Sequence, residues 1–131
     1  MMNENVKKLL EEQMWDLATC ADGIPNVVPV AFKKVLEDGR LAVGDVFLET
    51  TLKNIQKNEG KIAISAYDPK KLEGYQIKGT AVYLTEGEVV EDFKKMAEKV
   101  FRGAVTAKGA LLITPEQIIV TTPGKDNKKV L

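Results

Sequence analysis

Histidine is absent from the 131 residues, and cysteine and tryptophan each occur once. Without histidine there is no Ser-His-Asp or Cys-His catalytic pairing, and the commonest metal ligand is gone. One cysteine cannot supply a zinc or iron–sulfur site, nor an internal disulfide framework. If the chain performs chemistry, a bound cofactor is expected to carry the difficult step. An excess of charge of one sign is missing too. Nineteen basic and nineteen acidic residues balance to zero, so no whole-molecule field draws the protein to nucleic acid or an anionic membrane. A net charge near zero tolerates self-association. No apolar run approaches the ~20 residues that a membrane span needs. The opening MMNENVKKLLEE has no apolar stretch of the kind that marks a secretory signal. With Cys20 unpaired, a reducing cytoplasm is the expected location.

What remains is the composition of an ordinary globular chain, 44% apolar and 29% charged, and its length predicts a single domain over 1–131. The pattern predicts an opening helix over 4–13, capped by Asn3, with Val6, Leu9 and Leu10 on its apolar face. Trp15 to Thr19 alternates as a strand and ends at Asp22-Gly23, a hairpin signal. Asn26 to Leu36 reads as one long answering strand, and Arg40–Val43 as the next. A helix over 51–58 follows, then strands over Lys61–Tyr67 and Glu73–Leu84. Gly79, inside the latter, marks a bulge or corner. Thr85 to Glu88 has the form of a capping box before a helix over 88–102 with a wide apolar stripe. Ala110–Thr114 and Gln117–Thr121 read as two closing strands around Pro115. Short strands at this spacing, joined mostly by tight turns, predict a mainly β fold, an antiparallel barrel. No dinucleotide or P-loop glycine motif follows any strand.

The stretch from Leu41 to Asn58 is the candidate site. A short strand stops at Gly44-Asp45, a bend follows, and Thr50-Thr51 opens a helix as its expected N-cap. Unpartnered N–H groups and the helix dipole make such a start attractive to anions. Two hydroxyls and the Lys53 ammonium lie within the same turn. A phosphate dianion suits that set, each charge-assisted bond being worth roughly 1.5–3 kcal/mol.

Four segments carry a resemblance: Leu17–Val30 (LATCADGIPNVVPV), Thr51–Asn58 (TLKNIQKN), Gly74–Ala81 (GYQIKGTA), and Ala110–Gln117 with Pro123-Gly124. In this order they resemble the pyridoxamine 5′-phosphate oxidase-like split-barrel proteins, above all the small FMN-binding ones. The resemblance implies a six-stranded antiparallel split β-barrel of Greek-key type, a homodimer, and one FMN per subunit near the interface. It places Val28, Pro29, Val30 and Ala31 along the isoalloxazine ring. Val43, Gly44 and Asp45 would face the ring's other side or the ribityl chain, and Thr50, Thr51, Lys53 and Asn54 the phosphate. Proline at 29 fits an edge strand, and glycine at 44 would let backbone approach a flat ring.

The expected function is an FMN-binding flavoprotein, an oxidoreductase (flavin reductase-like) or electron carrier, with no protein acid or base assigned a catalytic role and no metal. Pyridoxamine phosphate oxidases proper resemble the chain in the barrel but carry a segment rich in Arg, His and Trp. No histidine is present here, and no tryptophan after Trp15, so that activity is not expected. Relatives commonly have a cation at the helix entry where this chain has Thr50-Thr51. A non-enzymatic barrel that binds haem or another flavin is the alternative.

Overall fold

The computed structural model describes residues 2–131. Helix α1 (Glu4–Glu12) starts where the Asn3 side chain accepts from the amides of Asn5 and Val6, as the sequence predicts. Its buried face is Val6, Leu9 and Leu10. The Leu10 carbonyl, near its end, accepts from Trp15 Nε1 and from Lys33 Nζ, both at 2.8 Å. Trp15 is fully buried, with the Lys33 ammonium 5.2 Å from its ring centre. The helix is thereby tied to two strands by one carbonyl.

Seven strands form a single antiparallel sheet: β1 (Trp15–Ala21), β2 (Ile24–Val30), β3 (Lys33–Val35), β4 (Leu41–Asp45), β5 (Lys61–Asp68), β6 (Glu73–Leu84) and β7 (Gly109–Val120). Their order is β2-β1-β5-β6-β7-β4-β3, so β2 and β3 are its two edges. The sheet curls into a half-barrel, in keeping with a split barrel. It has seven strands where the resemblance implies six, and the run 26–36 is not one strand but two. It breaks at Ala31-Phe32, where the Phe32 carbonyl accepts from the Gly44 amide at 2.8 Å and its ring turns toward Phe101. The chain thus leaves one edge and enters the other. The two expected closing strands are instead one. Pro115 is accommodated in β7 because the β6–β7 register shifts at Lys78/Gly79, opposite it. Gly79 is needed there: a Cβ would run into the Thr114 carbonyl.

Two helices cover the sheet. In α2 (Thr50–Lys57) the N-cap is Glu49, not a threonine; Thr50 and Thr51 are the first two helical residues, and no side chain caps the start. In α3 (Glu88–Phe101) the expected capping box does not form. Gly87 is the N-cap at φ 111°, a backbone conformation that glycine adopts freely, and no side chain bonds the first turn. One core fills the barrel beneath α1 and α2, around Trp15, Leu17, Ile64, Ile77, Leu111 and Ile113. A second lies under α3, where Val90, Phe93 and Ala97 meet Ala42, Val46 and Ala110. The spacing of three and four on α3 puts those residues on one stripe. Each fully buried large apolar side chain contributes roughly 1.5–3 kcal/mol. No described helix is long and apolar enough to cross a membrane.

Candidate functional site

Strand β4 runs inward as Leu41-Ala42-Val43-Gly44-Asp45, every residue buried. At its end Asp45 holds the following bend. Its Oδ1 accepts from the Leu48 amide at 3.2 Å, its Oδ2 from the Tyr83 hydroxyl at 2.6 Å, and its backbone carbonyl from the Lys108 amide at 2.9 Å. Burial, with the bond and charge of Asp45 behind it, pushes the Tyr83 hydroxyl up to about 12. The bend 46–49 therefore has a fixed path into α2.

Between this bend and the end of β2 lies a cavity of about 470 Å³, inside the ~300–1,000 Å³ typical of cofactor sites. Seven of the residues expected at the site line it: Val28, Pro29, Val30, Ala31, Gly44, Thr50 and Thr51. Thr51 is nearly fully buried, and its Oγ1 accepts from Asn26 Nδ2 at 3.4 Å, which leaves the hydroxyl proton for a ligand. The amides of Thr50 and Thr51 open α2 and have no intrahelical partner.

Four expected residues do not line the cavity. Val43 is fully buried in the barrel core, paired with Lys33 and Leu111. Asp45 is consumed by the bend. Asn54 is buried one turn further along α2, donating to Thr19 Oγ1 of β1 at 3.0 Å. Lys53 is exposed on the helix surface, its Nζ 3.8 Å from Glu49 Oε1. Gly44 does line the cavity, but for a different reason from the one its residue type implied. A Cβ there would point at the Phe93 ring, 2.7 Å from Cγ, so the glycine admits α3 rather than a ligand.

The wall also includes residues that the sequence reading missed: Met14, Asn26, Phe32, Val46, Phe47, Leu48 and Glu49. Five of them adjoin expected segments, so extending each segment through its flanking bend would have found Phe32 and 46–49. Asn26 and Met14 carry no local signal. Phe47 is exposed and stands edge-on to Phe101 with ring centres 5.7 Å apart, and Phe101 lies at the same distance from Phe32. An aromatic wall mounted on the end of α3 thus flanks the mouth. Among the described lining residues only Glu49 is ionisable, and no cluster of metal-ligating side chains occurs among the described residues.

A family profile described as "Pyridoxamine 5′-phosphate oxidase" matches residues 2–124. The chain belongs to this family. An uncharacterized protein of Methanocaldococcus jannaschii is 35% identical over 133 residues, covering 99% of this chain and 87% of that one. The crystal structure of HupZ from Group A Streptococcus is 30% identical with a TM-score of 0.80, covering 96% of this chain and 98% of that one. An FMN-binding protein from Syntrophomonas wolfei shares only 16% identity but superposes with a TM-score of 0.79, over 93% of this chain and 87% of that one. At that identity the likeness is one of fold.

Proposed function

We propose that the protein is an FMN-binding flavoprotein acting as an oxidoreductase or electron carrier, and not an oxidase of pyridoxamine phosphate. The observation that carries the reading is the single cavity that joins an apolar wall, from β2, Phe32 and Phe47, to the open start of α2. A flat ring with an anionic tail matches that combination. In this placement Val28, Pro29, Val30 and Ala31 lie along the isoalloxazine, and the Thr50 and Thr51 amides with the Thr51 hydroxyl take the phosphate. Lys53 supplies a cation only by swinging from Glu49. The flavin ring supplies the electron or hydride chemistry when bound; the protein contributes position, exclusion of water and a polar lining. The lack of histidine, and of any basic residue in the wall, weighs against a second phosphate-gripping subsite. Family membership supports flavin over other ligands.

A second copy of the chain as partner fits the outer face of β1, β2 and β5. There a depression of about 710 Å³ is lined by small and apolar residues such as Ala18, Ala63, Pro25 and the exposed Val27, together with Lys61, Lys78 and Glu116. Mixing the purified protein with FMN is the test. A perturbed flavin absorbance spectrum and quenched fluorescence at micromolar concentration are expected. Unaltered free-flavin fluorescence would overturn the reading.

A further inference from the structure

The charge arrangement at the start of α2 is unusual for a corner that would receive a dianion. Glu49 lines the cavity and occupies the N-cap, a place where a side-chain oxygen commonly bonds an amide of the first turn; here it makes no such bond. Its carboxylate instead lies 3.8 Å from the Lys53 ammonium, one turn on, and both side chains are largely exposed. An anion at this corner would meet repulsion from Glu49 and would find Lys53 already engaged. What remains to attract it is neutral: the open amides and the buried Thr51 hydroxyl, whose proton is unused within the protein. Solvent screens an exposed carboxylate, so the opposition is modest, which is the range in which a residue tunes selectivity rather than abolishing binding.

We propose that Glu49 is a specificity-determining residue that holds down the protein's preference for a phosphorylated flavin over the unphosphorylated one. It does so by opposing the phosphate and by keeping Lys53 paired. The proposal rests on the flavin reading above, and concerns which flavin is retained rather than whether one binds. Glu49→Gln is a clean probe because the side chain makes no capping bond that the substitution would remove.

The experiment is titration of FMN and of riboflavin into wild type, Glu49→Gln, Lys53→Met and the double variant, at low and high salt, with melting curves as a fold control. Glu49→Gln is expected to tighten FMN about two- to fivefold, the effect of one exposed charge beside a helix start. Riboflavin affinity should stay unchanged, and the gain should shrink at high salt. In the Lys53→Met background the gain should be smaller, since only the direct repulsion is left to relieve. An unchanged ratio of FMN to riboflavin affinity in Glu49→Gln, or an equal shift in both, overturns the proposal while leaving the flavin reading intact. If wild type binds neither flavin, the functional reading itself falls.

Discussion

Tyr83 donates its hydroxyl to Asp45 at 2.6 Å, and through that buried carboxylate a residue of β6 sets the course of the bend that leads into α2. Tyr83→Phe removes the donor and leaves the carboxylate short of a partner. A loss of about 1–3 kcal/mol in unfolding free energy is expected in denaturant titrations. The difference is pH-dependent. Because the folded-state hydroxyl titrates higher than an unfolded tyrosine near 10, its contribution is complete below pH 10 and fades as pH rises through about 12. Wild type and Tyr83→Phe should therefore converge in stability across that window. A constant gap would show that the hydroxyl bond is not the source.

Gly44 and Phe93 give a second, independent handle. With the Phe93 ring in the path of a Cβ at position 44, Gly44→Ala should cost about 1–3 kcal/mol as α3 is pushed off the sheet. Adding Phe93→Leu should recover part of that loss, and thermal melts of the single and double variants measure the coupling. Strict additivity would contradict the packing described.

Thr51 separates phosphate from ring. Thr51→Ala should weaken FMN about tenfold, ~1.4 kcal/mol, with little change for riboflavin, as read by fluorescence titration. Equal loss for both flavins would place the phosphate elsewhere.

Phe47 is exposed, so its truncation should be tolerated by the fold yet felt by the ligand. Phe47→Ala is expected to lower stability by under about 1 kcal/mol, the share of an aromatic edge contact. Its FMN affinity should fall about tenfold through lost apolar contact. Unimpaired binding in a folded Phe47→Ala would remove this residue from the wall.

Several features set by local chemistry were legible in the sequence, though the expected caps of α2 and α3 were not among them. Asn3 as a cap, Gly79 as a bulge, the amphipathic stripe of α3 and the proline-bearing edge strand each follow from one residue type in one pattern. Features set by distant partners were not. Phe32 ends a strand because Phe101, far along the chain, offers it a neighbour and Gly44 bonds its carbonyl. Asp45 is expected beside the flavin from the family likeness, and only its bonds with Tyr83 and Leu48 make it a brace for the bend. Asn54 shares a turn with Thr51, yet it faces Thr19. The two share the buried face of α2, three positions apart, and only the partner on β1 decides that Asn54 is taken up within the fold while Thr51 opens on the cavity. The cavity itself was anticipated in its two ends, β2 and the start of α2, and missed in the bend between them.

The edge position of β2 carries a consequence for behaviour at high concentration. Pro25 and Pro29 pair with Cys20 and Asp16 in an unbroken seven-pair register with β1. Having no N–H to give, they fit only at alternate positions whose polar groups turn away from that neighbour. The free rim of β2 then offers three carbonyls but one amide, from Val27. A further strand approaching that rim finds acceptors without matching donors. The β2 edge is thereby poorly matched to an added strand by virtue of two pyrrolidine rings, while the other edge, β3, carries Lys33 and Lys34.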